Sequence, residues 1–134
     1  MEYEAERPMP ADSRTVFQVA ADVWAMRHWI PEDVVLRPLA DDLVEVRGRD
    51  RVLLRRVPDQ LRLEWGILAR PDYTGWLQVL DRADGRSSVL AHLSFLGDQP
   101  QNTGSKRVRA ETQRLLEESL GRLAEEVTRR SVRT

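Results

Sequence analysis

The C-terminal segment, residues 105–130, constrains the fold of this chain more than any other part of the sequence. It contains no proline, and its apolar and small side chains recur at steps of three and four residues. That spacing places them on one face of a helix about 35–40 Å long, while the charged residues fall mainly on the other side. An isolated helix cannot bury such a face, so the preceding part of the chain must cover it. The predicted buried face comprises Val108, Thr112, Leu115, Leu116, Ser119, Leu120, Leu123 and Val127.

Composition narrows the class of protein. The chain has 134 residues, no cysteine and a formal net charge of −1. This length predicts a single domain over residues 1–134. No apolar run approaches the ~20 residues of a membrane span, and the acidic start is unlike a signal peptide, so we expect a cytoplasmic protein without membrane insertion. The charges of the final helix alternate in sign without interleaved aromatic residues, which argues against nucleic-acid binding.

The rest of the chain is dominated by strand-like patterns. Residues 2–9 alternate acids with other side chains, as in a strand with one wet face, and Asp12 or Ser13 then caps a first helix. A second helical turn over 26–30 stops at Pro31. Residues 34–96 keep a period of two, interrupted by five short turn sequences, which predicts six antiparallel strands in a meander. A polar loop over 97–104 leads into the final helix. The expected fold class is therefore α+β, with about seven strands, two short helices after the first strand, and the sheet covering the C-terminal helix.

Turn lengths assign the strands to the two faces of the sheet. A two-residue turn at Asp84-Gly85 would pair Trp76 with Leu93 and turn Trp76 towards the helix. Gln78 would follow it onto the same inner face. Leu77 and Val79 would then point outward, together with Leu90. Such an apolar outer face predicts a possible homodimer contact.

Local motifs resemble those of a known superfamily. Residues 9–17, MPADSRTVF, resemble the approach to the first helix in the START-like (SRPBCC) superfamily, and Asp22 with His28-Trp29-Ile30-Pro31 resembles its D-x-x-x-x-x-W-x-P stretch. Residues 75–79, the Asp84-Gly85 turn and residues 89–95 resemble its final hairpin. The resemblance covers essentially the whole chain. It implies a helix-grip fold, in which a curved sheet wraps around the long helix and leaves an elongated apolar cavity.

Candidate site residues are those expected to line this cavity. The chain has two histidines and no cysteine, and we find no metal site, paired-carboxylate motif, nucleophile triad or phosphate-binding loop. We therefore expect no cofactor and no metal, and a small apolar ligand as the partner. The predicted ligand-binding residues are Trp29, Leu54, Trp65, Trp76, Gln78, Thr112, Leu116 and Ser119.

Arg56 is the candidate catalytic residue. The sequence Arg56-Val57-Pro58-Asp59 is similar to a stretch of polyketide aromatase/cyclases whose arginine points into the pocket, which implies that Arg56 polarises a carbonyl towards an enolate. The chain departs from that pattern at Leu54, where those enzymes carry a polar residue, and at Met26, where they carry a tryptophan.

Three functions therefore stay open at this point. The resemblance is to the polyketide cyclase/dehydrase-like branch, and an enzyme of that type would fold a flexible chain in its cavity. The alternative is a non-catalytic carrier or sensor of a lipid, quinone or polyketide. A structural module that acts through the outer face of the sheet is the third.

Overall fold

A computed structural model describes residues 2–31, 34–95 and 105–132 of the chain. The predicted loop over 97–104, and Leu96 at the end of the last predicted strand, lie outside these ranges. Single turns of 3₁₀ helix occupy Met26–His28 and Pro58–Gln60. The strands are β1 (Glu2–Met9), β2 (Leu36–Ala40), β3 (Leu43–Val46), β4 (Asp50–Val57), β5 (Arg62–Ile67), β6 (Arg70–Asp81) and β7 (Ser87–Phe95), and the helices are α1 (Ser13–Ala20) and α2 (Ser105–Val132).

The strands form one antiparallel sheet in the order β1-β7-β6-β5-β4-β3-β2. The predicted meander of β2 to β7 is confirmed, and β1 completes the sheet by pairing with β7. Alternation in β1 is also as predicted, since Tyr3 and Ala5 are buried while Glu2, Glu4 and Glu6 are exposed. A β-bulge interrupts β2 between Pro38 and Ala40.

The capping residue Asp12 fixes the start of α1. Its carboxylate accepts hydrogen bonds from the backbone N–H of Thr15 at 3.2 Å and from the Thr15 hydroxyl at 2.6 Å. These bonds favour the charged form and lower the pKa of Asp12 below its usual value. The helix ends at Ala20, so Trp24 lies outside it and is 60% exposed.

Helix α2 packs mainly along β1 and also contacts α1 and the Met26–His28 turn. Its predicted apolar face is buried only in part. Val108, near the start of the helix, is 60% exposed, whereas Leu123 and Val127 are fully buried. The burial of this helix is therefore concentrated in its C-terminal half. The buried residues of α2 are Leu116, Ser119, Leu120, Leu123, Glu126 and Val127.

The predicted faces of β6 are wrong, because the β6–β7 turn is one residue longer than expected. Val79, not Leu80, pairs with Val89. The N–H of Arg82 bonds to the carbonyl of Arg86, which leaves a three-residue turn with Gly85 at φ +80°. One extra residue reverses every side chain of the strand.

The reversal has consequences on both sides of the sheet. Leu77 and Val79 are buried in the core at 0% and 3% exposure, while Trp76 and Gln78 lie on the outer face. The homodimer contact was predicted from an outward position of Leu77, Val79 and Leu90. Because Leu77 and Val79 are buried, this argument for a dimer no longer holds.

The β4–β5 connection is also longer than predicted, but it does not reverse the side chains of the strands. A two-residue turn at Pro58-Asp59 would pair Arg56 with Leu61. The 3₁₀ turn Pro58–Gln60 and a left-handed Leu61, at φ 53°, lengthen the connection, so Arg56 pairs with Leu63. A shift of two residues preserves the faces. Arg56, Leu54 and Trp65 consequently lie on the inner face, as predicted.

Gly121 provides a test of the α2 packing. A Cβ built at this position meets only the guanidinium of Arg7, at 3.7 Å, which is an ordinary van der Waals contact. Because glycine is about 0.8–1.0 kcal/mol less favourable than alanine inside a helix, we expect Gly121→Ala to raise the free energy of unfolding by roughly that amount. Urea unfolding followed by circular dichroism measures the change. A lower stability would contradict the described packing of Arg7 over the helix.

Candidate functional site

The inner face of the sheet is covered unevenly from end to end. Near α1 and the C-terminal half of α2, its side chains are buried, as at Leu63, Leu77 and Val89. Towards the β5–β6 turn, the apolar side chains of the same face are only partly buried. We call this region the open end. Its residues are Leu36, Val46, Trp65, Ile67, Tyr73, Leu93 and Phe95.

Four rings form an aromatic cluster at the open end: Tyr3, Trp65, Tyr73 and Phe95. The rings of Tyr73 and Phe95 lie 4.8 Å apart between centroids, and Tyr3 meets Phe95 edge-on at 5.9 Å. The indole N–H of Trp65 donates to the hydroxyl oxygen of Tyr73 at 3.0 Å. Burial raises the pKa of Tyr73, although the bond from Trp65 partly opposes the shift, so this phenol remains protonated at neutral pH.

Gly75 gives the Trp65 ring its position. The two residues are opposite each other on β5 and β6, and the indole lies over the glycine. A Cβ at Gly75 would lie less than 3.0 Å from three atoms of the ring, Cε2, Nε1 and Cζ2. The cross-strand glycine therefore holds the flat ring against the sheet and turns its N–H towards Tyr73.

Two of the predicted ligand-binding residues, Trp29 and Ser119, lie where the Met26–His28 turn meets α2. Arg122 donates from Nη2 to the carbonyl of Ile30 at 2.8 Å and contacts the Ser119 hydroxyl at 3.5 Å. Trp29 is 7% exposed and Ser119 4%. Within the parts of the chain that the structure describes, the indole N–H of Trp29 and Nε of Arg122 have no hydrogen-bond partner. This corner thus holds two buried donors, an unusual feature in a folded protein.

The remaining inner-face predictions fall between these two regions. Leu54 pairs with Trp65 across β4 and β5, and both Leu54 and Leu116 belong to the core. Thr112 is half-buried on α2. Leu54 of the sheet and Leu116 of α2 thus belong to one hydrophobic core.

Arg56 also lies on the inner side, but at the end of the sheet nearest α1. Its Nε donates to the carbonyl of Ala21, just after α1, at 2.8 Å. The guanidinium borders a pocket of about 320 Å³ that is also lined by Asp22, Trp24 and Asp41. The side chain therefore stabilises the C-terminal end of α1.

The predicted inward positions of Trp76 and Gln78 are corrected by the register of β6. On the outer face, the Trp76 ring stacks on His92 with 5.0 Å between ring centroids. The guanidinium carbon of Arg62 lies over the Trp76 ring, 4.4 Å from its centroid. The Gln78 amide donates to the backbone carbonyl of Gln60 at 2.6 Å. Neither side chain can contact a ligand held between the sheet and α2.

Sequence reasoning missed Tyr73 as a site residue. The signal was present in β6 itself, because Leu77 and Val79 are together more apolar than Trp76 and Gln78. Placing the apolar pair inward also brings Tyr73 inward.

No metal centre or membrane span emerges from the described ranges. Among residues 2–31, 34–95 and 105–132, no group of three or more histidine or acidic residues is arranged to hold a metal ion. None of the helices in these ranges is long and apolar enough to cross a membrane.

Comparison with known proteins identifies the fold. No family model matches the sequence, and no curated protein matches it significantly. Solved structures match along nearly the whole chain. The protein TTHA0849 from Thermus thermophilus is 22% identical with a TM-score of 0.78, covering 98% of this chain and 99% of its own. A START superfamily protein from Mycobacterium smegmatis is 11% identical with a TM-score of 0.75, covering 96% and 97%. Ara h 8.0201 is 10% identical with a TM-score of 0.65, again covering 96% and 97%. The chain has the START-like helix-grip fold, as the sequence motifs predicted.

The position of the Trp65 ring can be tested with two glycines of neighbouring strands. We expect Gly75→Ala to lower the free energy of unfolding by about 1–3 kcal/mol, because the new methyl group overlaps the indole. Gly66→Ala is the matched control, since its Cβ meets only the Tyr73 carbonyl oxygen at 3.7 Å. Chemical unfolding of both variants measures the difference. Equal effects would place the Trp65 ring elsewhere.

The role of Arg56 can be tested through stability. We expect Arg56→Leu to lower the free energy of unfolding by about 1.5–3 kcal/mol, because the Ala21 carbonyl loses a hydrogen bond from a charged donor. Thermal and urea unfolding measure the effect. An unchanged or increased stability would show that the guanidinium does not support α1.

Proposed function

We propose that this protein binds a small, largely apolar, ring-containing molecule between the inner face of the sheet and α2, at the open end. The helix-grip fold is a type that binds hydrophobic ligands, which supports the general class. The observation that carries the proposal is the aromatic cluster, in which the rings of Trp65, Tyr73 and Phe95 are only partly buried. Partly exposed apolar rings are suited to contact with an apolar partner.

The chemistry of the cluster favours a flat partner. Trp65 and Phe95 offer ring faces and edges, and aromatic pairs contribute about 0.5–1.5 kcal/mol beyond the area that they bury. Leu36, Val46 and Ile67 add aliphatic surface around them. A lipid-like or polyketide-like molecule with at least one ring would match this lining.

Of the two ligand-binding functions among the three left open by the sequence, a non-catalytic carrier or sensor is better supported than a cyclase-like enzyme. Arg56 was the candidate catalytic group, and its Nε is engaged by the Ala21 carbonyl at 2.8 Å. The guanidinium therefore has a structural partner, and no ligand is needed to explain its position. Binding without turnover needs no such group.

The proposal is tested with the uncharged fluorescent probe N-phenyl-1-naphthylamine and two tryptophan variants. We expect the wild-type protein to bind the probe saturably, and Trp65→Leu to weaken binding about three- to tenfold, as the loss of an aromatic contact implies. Trp76→Leu removes an indole from the outer face and should leave the affinity within about twofold, because this ring lies on the far side of the sheet.

Two outcomes would overturn the proposal. One is the absence of saturable probe binding to the wild-type protein. The other is an equal loss of affinity in the Trp65 and Trp76 variants, since that would place the bound probe elsewhere on the molecule. Native mass spectrometry of the purified protein provides an independent check by detecting any retained small molecule.

A further inference from the structure

The hydrogen bond between Trp65 and Tyr73 has a direction that can be assigned from chemistry alone. An indole nitrogen carries a hydrogen and has no acceptor capacity, so Trp65 is the donor. The hydroxyl oxygen of Tyr73 is therefore the acceptor in the 3.0 Å contact. A tyrosine hydroxyl has one hydrogen of its own, and this bond does not use it.

The hydroxyl hydrogen of Tyr73 has no acceptor among the residues that the structure describes. The bond from Trp65 is the one polar contact recorded for this hydroxyl within those ranges. Tyr73 is only partly buried, so this hydrogen can be donated to a molecule that contacts the open end. The raised pKa of Tyr73 is consistent with a hydroxyl withdrawn from water that remains protonated.

The position of this donor is fixed from two sides. The indole of Trp65 lies over Gly75 and presents its N–H to the Tyr73 oxygen, while the Phe95 ring packs against the Tyr73 ring at 4.8 Å. Both neighbours belong to the aromatic cluster at the open end. The unused hydrogen is thus held among the rings that would contact a flat ligand.

We propose that Tyr73 is a specificity-determining residue, whose hydroxyl donates a hydrogen bond to a carbonyl oxygen of an uncharged, ring-containing ligand. This inference rests on the proposed function and names the class of ligand more narrowly. The four rings of the cluster carry no formal charge, so a carboxylate placed among them would lose its hydration without a compensating cation. A ketone or quinone oxygen needs only one neutral donor.

Fluorene and 9-fluorenone are suitable probes because they differ essentially in one carbonyl group. We expect Tyr73→Phe to weaken binding of 9-fluorenone about three- to tenfold, as the loss of one neutral hydrogen bond implies, and to leave fluorene binding within about twofold. Equilibrium dialysis measures both affinities. Tyr3→Phe is the matched control: it removes the hydroxyl of the other tyrosine in the cluster and should not change the ratio of the two affinities.

A second measurement uses the wild-type protein and does not depend on the folding of a variant. A hydrogen bond to the carbonyl lowers its infrared stretching frequency, so bound 9-fluorenone should absorb at lower frequency than in an alkane solvent. Tyr73→Phe should remove that shift, whereas Tyr3→Phe should retain it.

The outcomes separate this inference from the function on which it rests. If neither probe binds the wild-type protein saturably, the proposed function fails and the role of Tyr73 fails with it. If both probes bind but the carbonyl band is not lowered, or Tyr73→Phe weakens both equally, the apolar site stands and the role of Tyr73 is wrong.

Discussion

The burial of one face of α2 is the constraint on which the rest of the structure depends. Leu120, Leu123 and Val127 lose nearly all contact with water only because β1, α1 and the Met26–His28 turn surround this half of the helix. Burying aliphatic side chains of this size contributes about 1.5–3 kcal/mol each. The start of the helix is less covered, as the exposure of Val108 illustrates. The fold is therefore closed at one end of the sheet and partly open at the other.

This asymmetry distinguishes two groups of residues on a single face. Leu63 and Leu77 are buried in the core at 1% and 0% exposure. The side chains of Trp65, Tyr73 and Phe95 point to the same side of the sheet, but they are only partly buried. The same alternation of apolar residues therefore gives a closed core at one end and partly exposed rings at the other.

The element order and the type of fold were predictable from the sequence, whereas the lining of the site was predictable only in part. Period-two alternation and short turns determine an antiparallel meander whatever the exact loop lengths. The direction of each side chain depends on the parity of the turns, and a single additional residue before Gly85 exchanged Trp76 for Leu77 on the inner face. The position of Arg56 shows a second limit: alternation placed it on the correct face, but not against the Ala21 carbonyl, since that contact joins parts of the chain 35 residues apart.

The two edge strands of the sheet, β1 and β2, also determine whether one molecule can pair with another. On β1, three glutamates share one face, so a second β1 pairing against it would bring like charges together. On β2, Pro38 has no N–H to donate, and the adjoining bulge interrupts the regular pattern of backbone hydrogen bonds. Both margins therefore resist extension by another strand. Partly exposed apolar side chains can promote association, but these two edge strands limit the edge-to-edge aggregation that exposed β-structure otherwise favours.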